Sequence, residues 1–124
     1  MWNYVAVAVG GVVGCCARYG VSQWVQVWYD KGFPLATLII NVVGSLAMGF
    51  LFVATLERVN VSPALRMAVL TGVLGGFTTF STFAMETLLL LEDGETAYAV
   101  LYVLLSVLLG LGAAFLGVYL ARSL

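Results

Sequence analysis

Ionisable side chains divide this sequence into four long stretches that carry almost none of them. Residues 32–56, 67–85 and 96–121 contain no Asp, Glu, Lys or Arg, and residues 1–29 contain only Arg18. A membrane-spanning helix needs about 20 predominantly apolar residues, at a rise of about 1.5 Å per residue. The spacing of charges therefore predicts an all-α membrane protein, with helices near 3–29, 35–56, 63–91 and 96–121 in a single transmembrane domain covering 1–124.

The composition excludes several classes of function. Charged residues make up only 9% of the chain and hydrophobic residues 63%, whereas a soluble domain carries roughly 25% charged residues. A soluble enzyme is therefore excluded, and we expect no enzymatic activity. With a net charge of -1 and no run of basic residues, the chain has no electrostatic surface for nucleic acid. Histidine is absent and the two cysteines, Cys15 and Cys16, are adjacent, which leaves no transition-metal cluster and no disulfide framework.

The breaks between the predicted helices are short and polar. They lie at residues 30–34, 57–63 and 92–96 and contain turn-forming residues. Ser62 and Pro63 are typical of a helix start, as N-cap and first helical residue, and Thr96 is expected to cap the last helix. The first segment lacks a basic leading region and contains Arg18, so we expect it to remain in the mature protein.

Lysine and arginine counts give a weak orientation signal. Arg58, Arg66 and Arg122 fall on the side of the two termini, and Lys31 alone falls on the other side. This bias favours cytoplasmic termini. Because it depends on so few charges, the chain could also insert in both directions.

A few polar residues lie at membrane depth, where each is costly unless it meets a partner, water or an ion. They are Arg18 in the first helix, Asn41 in the second, and a run of hydroxyls followed by Glu86 in the third. Four short helices bury little against each other. We therefore expect the chain to oligomerise and cover these groups.

The third helix is predicted to be broken near residues 75–79. Gly72, Gly75 and Gly76 are followed directly by Thr78 and Thr79, which is a poor sequence for continuing a helix. A break at the midplane frees carbonyls that suit a cation and N–H groups that suit an anion. The alternative is that the glycines only permit close helix packing, but the density of hydroxyls and phenylalanines favours the break.

The polar and aromatic residues at membrane depth each have more than one possible role. Helical spacing puts Phe80 and Phe83 on one face, where the electropositive ring edges could hold a small anion, although such pairs are more often core or lipid-facing. Asn41 could serve a ligand or fix helix register. Arg18 could face a vestibule, pair with carbonyls or a carboxylate, or extend to the surface, and Glu86 is close enough to the loop to reach water.

Three motifs taken together resemble one known family. The first helix contains Gly10-Gly11-x-x-Gly14-x-x-x-Arg18-Tyr19, the second Thr37-Leu38-x-x-Asn41-x-x-Gly44, and the third Gly75-Gly76-Phe77-Thr78-Thr79-Phe80-Ser81-Thr82-Phe83. In these motifs, in length and in helix number, the chain resembles the Fluc (CrcB) fluoride channels of bacteria and archaea. The string in the third helix is highly specific, whereas a lone GxxxG would be weak support.

The resemblance implies a dual-topology homodimer, with two identical chains inserted in opposite directions in the cell (inner) membrane. It implies two fluoride pores, export of cytoplasmic fluoride down its gradient, and a central structural sodium ion (Na+). Phe80 and Phe83 would line the fluoride path and Asn41 would donate to fluoride. The further pore positions that it implies are Thr79, Ser81, Thr82, Glu86, Tyr102 and Ser106. Carbonyls of Gly75 and Thr78 would hold the sodium ion, and Arg18 and Thr37 would be vestibular or structural.

Two departures and three rival interpretations accompany the resemblance. Ala84 stands where relatives often have Ser, and Gly110 stands where some relatives have a hydroxyl. Both departures thin the polar path without removing the main motif. The chain could be one half of a heterodimeric channel. A small proton-coupled multidrug-type transporter would need a carboxylate in the first helix, where this chain offers only Arg18. An accessory membrane subunit would leave Asn41 and Arg18 unexplained.

Overall fold

The structure, a computed structural model describing residues 1–124, is entirely helical. Four helical spans are long and apolar enough to cross a bilayer: span 1 (Trp2–Trp28), span 2 (Leu35–Arg58), span 3 (Pro63–Glu92) and span 4 (Thr96–Arg122). This confirms the all-α class and the four spans predicted from the charge spacing. The protein is therefore a multi-pass membrane protein.

Spans 2 and 3 are not uniform α-helices. The elements are α1 (Trp2–Trp28), α2 (Leu35–Val53), a π-helical turn (Ala54–Arg58), α3 (Pro63–Met67), a π-helical segment (Ala68–Leu74), α4 (Gly75–Phe77), α5 (Phe80–Glu92) and α6 (Thr96–Arg122). The π-helical turns have one more residue per hydrogen-bonded ring than α-helix and commonly occur near functional positions.

Local sequence explains some of the helix ends. The Ser62 side chain accepts a hydrogen bond from the Leu65 N–H at 3.2 Å, with Pro63 as the first helical residue, as predicted. The expectation that Thr96 caps the last helix is wrong, because Glu95 occupies the N-cap position and no side chain caps that end. Gly94 turns the preceding loop with a φ of 78°, a conformation that other residues rarely adopt.

The spans pack as two parallel pairs. Gly10 and Gly14 of α1 lie against span 3 so closely that a Cβ atom on either would run into the carbonyl oxygen of Ala68 or Val73. In the other pair, Gly49 of α2 lies against the backbone of Ala114 in α6. Small residues at these contacts let the helix backbones approach, which is how helices associate where the surroundings are as apolar as the side chains.

Little of the chain is buried within a single copy. Only 19 of 124 residues are buried. They include one cluster of Leu38, Leu90, Ala99 and Tyr102 and a smaller one of Val53, Ala54 and Ala121. Large apolar side chains are exposed along every span, as expected for a surface that meets hydrocarbon.

Arg58, Arg66 and Arg122 make the contacts that hold together the end of the bundle near the two termini. The Arg122 Nη2 atom lies 3.2 Å from Glu57 Oε2, and Arg58 Nη2 donates to the Arg122 carbonyl at 2.6 Å. Arg66 donates to Thr55 Oγ1 at 3.0 Å and lies over the Phe52 ring. These side chains satisfy polar groups at the ends of spans 2 and 4, where helices leave carbonyls unpaired.

Candidate functional site

Helical geometry is interrupted between α4 and α5. Thr78 and Thr79 have extended backbones, with φ and ψ of -82° and 157° at Thr78 and of -151° and 113° at Thr79. Both residues lie within the range 75–79 where the sequence predicted a break. The side chain of Thr79 then becomes the N-cap of α5 and accepts a hydrogen bond from the Thr82 N–H at 3.3 Å.

The interruption changes which groups bond to which. The Thr79 N–H, which in a continuous helix would bond to the Gly75 carbonyl, donates instead to Asn41 Oδ1 at 2.8 Å. The Thr82 N–H, which would bond to the Thr78 carbonyl, donates instead to Thr79 Oγ1. The carbonyl oxygens of Gly75 and Thr78 are therefore left without their regular helical donors.

Asn41 fastens α2 to the interruption through two hydrogen bonds. Besides accepting from the Thr79 N–H, it donates from Nδ2 to the Thr79 carbonyl at 3.0 Å. This is the register-fixing contact that the sequence left as one of two roles. An amide group has two N–H donors, so one donor of Asn41 remains free for another partner.

Arg18 reaches the same region from α1. Its Nε atom donates to the Gly76 carbonyl at 3.2 Å, and the side chain is half-buried. Among the arrangements that the sequence left open for Arg18, the structure shows pairing with a carbonyl. A Cβ atom on Gly44 of α2 would run into the Thr78 side chain, so spans 1 and 2 both close tightly on the interruption.

A cavity of about 370 Å³ opens beside the interruption. Five of the predicted fluoride-pore residues line it, from spans 2, 3 and 4: Asn41, Thr79, Phe80, Phe83 and Ser106. Its other walls are Gly44, Ser45, Met48, Thr78, Val107 and Ala114. We call this the central cavity. No Asp, Glu, Lys or Arg side chain lines it.

Ser106 carries the strongest polar signal in the central cavity. Its Oγ atom is buried and has no hydrogen-bond partner. Leaving a buried hydroxyl unsatisfied costs about 1–3 kcal/mol, and native proteins rarely accept this without a ligand or water. The hydroxyl is therefore a donor available to whatever enters the cavity.

Aromatic rings connect the central cavity to the end of the molecule that holds loop 30–34. The Phe80 and Phe83 ring centroids are 5.5 Å apart, and the edge-on Phe83–Tyr102 pair follows at 5.0 Å. Phe33 then contacts Tyr102 at 5.6 Å and Tyr98 at 5.5 Å. Phe33 and Tyr98 were not among the residues predicted from the sequence. A usable signal was present, since Tyr98 lies one helical turn before Tyr102.

Tyr102 and Glu86 join spans 3 and 4 at this level. Tyr102 is fully buried, and its hydroxyl donates to Glu86 Oε1 at 2.9 Å. Glu86 also lines a second cavity of about 260 Å³, which includes Asp30 and Lys31 of the loop. The carboxylate therefore combines a hydrogen bond inside the bundle with access to the loop end. Phe83 lines one cavity and Glu86 the other, one turn apart along α5.

The remaining predicted site residues lie outside both cavities. Ser81 is exposed, and Thr82 is occupied by Thr79, with their Oγ1 atoms 3.0 Å apart. Thr37 is buried in α2, one turn before Asn41, with 5% of its surface exposed. Their roles at the pore stay predictions.

Comparison with known proteins gives one consistent result. The family described as CrcB-like protein, Camphor Resistance (CrcB), matches residues 5–118. A fluoride-specific ion channel FluC of Acidithiobacillus ferrooxidans is 52% identical over 117 residues, covering 94% of each chain. Proteins of the same name from Roseiflexus sp. and Geobacter metallireducens are both 44% identical, over 98% and 100% of each chain. These relatives are named as ion channels, which agrees with the prediction that the chain is not an enzyme.

Proposed function

Because this chain belongs to the CrcB-like family, we propose that it is a fluoride-selective ion channel. The family relationship confirms the resemblance drawn from the three motifs. It is supported along nearly the whole chain, since the relatives named as fluoride-specific channels align over 94% or more of it.

The observation that carries the proposal is the chemistry of the central cavity. Fluoride holds its water tightly, so a pore must replace that water with hydrogen-bond donors and still release the ion. The cavity offers the free N–H of Asn41, the unpaired hydroxyl of Ser106 and the rings of Phe80 and Phe83. Without a fixed cation, these contacts are individually modest, which suits passage rather than tight binding.

Fluoride would move down its gradient, and the useful direction in a cell that accumulates fluoride is export through the cell (inner) membrane. The ring path from Phe80 through Phe83 to Tyr102 and Glu86 supports a route between the central cavity and the loop end. On this route the ion would pass from ring edges to a region with access to water.

We propose further that two copies assemble as an antiparallel homodimer with two pores. Phe80 is 78% exposed in a single copy although it lines the cavity, so one chain alone leaves the path open along its side. A second copy would close that side. The three-to-one Lys and Arg bias favours one orientation but depends on only four charges, which leaves insertion in both directions open.

A sodium ion at the interruption fits the groups present. Hard cations take oxygen ligands, and the carbonyls of Gly75 and Thr78 are among those that lose their regular helical donors at the interruption. Gly75 is also exposed on the surface of the single copy. Two carbonyls from each of two copies would supply a four-oxygen site between them.

Growth in fluoride tests this function in cells. In a bacterium deprived of its own fluoride export, the chain is expected to restore growth at fluoride concentrations that stop the parent strain. A variant with Phe80 and Phe83 both changed to Ile should not restore growth although it reaches the membrane in equal amount. Restored growth by that variant, or none by the wild-type chain in the membrane, would contradict a self-sufficient fluoride exporter.

A further inference from the structure

Hydroxyl side chains in helices ordinarily bond to the carbonyl of the residue four positions earlier. In this protein Thr55, Thr78 and Thr87 do so, with donor–acceptor distances of 2.6, 3.0 and 2.8 Å. Such a hydroxyl is satisfied by its own helix and has little to offer a ligand. A hydroxyl that lines a cavity and does not bond in this way remains available as a donor.

Two serines of the central cavity have this property. Ser106 Oγ is buried without a partner. Ser45 lines the same cavity, is half-buried, and takes part in none of the side-chain hydrogen bonds within the chain. Ser45 lies on α2 one turn after Asn41, so both side chains project from the same face. By contrast, the hydroxyls of Thr78 and Thr79, which also line the cavity, are engaged with Leu74 and with Thr82.

Ser45 faces span 4 across the cavity. A Cβ atom placed on Gly110 of α6 would lie 3.8 Å from Ser45 Oγ and would meet no other atom within 4 Å. Ser106 precedes Gly110 by one turn on the same helix. The hydroxyl of Ser45 therefore projects toward the part of α6 that carries the unpaired hydroxyl of Ser106.

We propose that Ser45 is a further fluoride-coordinating residue and forms an anion subsite with Asn41 and Ser106. This inference depends on the proposed channel function. The three side chains are the free donors among the lining residues, because the other walls are apolar or already bonded. Fluoride that has left its water in the cavity is held by two hydroxyls and one amide N–H, with no positive charge to retain it.

Fluoride efflux from liposomes containing Ser45→Ala tests the assignment. A hydrogen bond to a charged group is worth about 1.5–3 kcal/mol, so its loss should slow efflux by roughly 10-fold to 100-fold. Ser45→Thr keeps the hydroxyl and should retain most of the flux. Ser22→Ala is the matched control, because Ser22 lies on α1 and lines neither cavity. Unchanged efflux from Ser45→Ala would overturn the proposal.

A second variant separates coordination from packing. Because there is room at Gly110, the double variant Ser45→Ala with Gly110→Ser returns a hydroxyl to the same space from the opposite helix. Recovery of efflux in the double variant supports coordination by a hydroxyl. Slow efflux in both the single variant Ser45→Ala and the double variant, with melting temperatures lowered in Ser45→Ala and Ser45→Thr alike, would indicate a packing effect. That result would overturn the proposal. Absence of efflux from the wild-type chain would instead count against the channel function itself.

Discussion

At the scale of single residues, Phe80 and Phe83 supply the ring edges that line the proposed fluoride path. Changing Phe80 and Phe83 together to Ile keeps apolar bulk but removes the electropositive edges, so fluoride flux is expected to be abolished while folding is retained. The matched control is Phe115→Ile, because Phe115 is exposed on α6 and lines neither cavity. Fluoride efflux would compare the flux of the wild-type chain, the double variant and Phe115→Ile, and gel filtration would show whether each is folded. Normal efflux from the double variant would exclude ring-edge coordination.

Asn41 has two proposed roles that can be tested separately. It holds the interruption through Thr79, and it supplies an N–H donor to fluoride. Asn41→Ala removes two hydrogen bonds to Thr79 and leaves that N–H and carbonyl unpaired. The free energy of unfolding should fall by about 1–3 kcal/mol, with loss of fluoride flux. The melting temperature in detergent, compared with that of Asn60→Ala in the exposed loop, measures the first effect. An unchanged melting temperature would mean that the paired contacts do not stabilise the interruption.

At the scale of elements, the close approach of α2 to the interruption depends on Gly44. In Gly44→Ala the new methyl would overlap the Thr78 side chain and come within 3.4 Å of the Phe77 ring. Overpacking of this kind costs about 1–3 kcal/mol, so we expect a lower melting temperature and reduced flux. Gly112→Ala on α6 is the control, since nothing lies within 4 Å of its added methyl. Equal stability of the two variants would show that the contact adjusts without cost.

The elements also show what sequence reasoning can reach. Charge spacing was enough to predict the four spans, because a membrane excludes ionised side chains regardless of tertiary packing. The π-helical segments at Ala54–Arg58 and Ala68–Leu74 carry no such signal, since apolar periodicity does not distinguish a local change of helical pitch. The pairing of Asn41 with Thr79 and the position of Ser45 depend on contacts between helices. Those contacts follow from register, which a single sequence does not specify.

At the scale of the whole molecule, the proposed antiparallel assembly predicts equal populations of two orientations. With Cys15 and Cys16 changed to Ala, a cysteine at Glu95 and, separately, one at Ser123 report opposite ends of the bundle. An impermeant thiol reagent applied to intact cells should label each variant partially and to a similar extent. Labelling confined to one end would contradict dual topology and favour a channel built with an unlike partner chain.

The proposed function requires that this single chain forms a fluoride-selective pore. Fluoride efflux from liposomes that contain only the purified chain, read with a fluoride electrode beside matched chloride-loaded vesicles, tests it most directly. We expect rapid fluoride release without comparable chloride release, because the central cavity offers small hydrogen-bond donors and ring edges and no fixed charge. Release of both ions at similar rates, or of neither from a well-folded preparation, would contradict it.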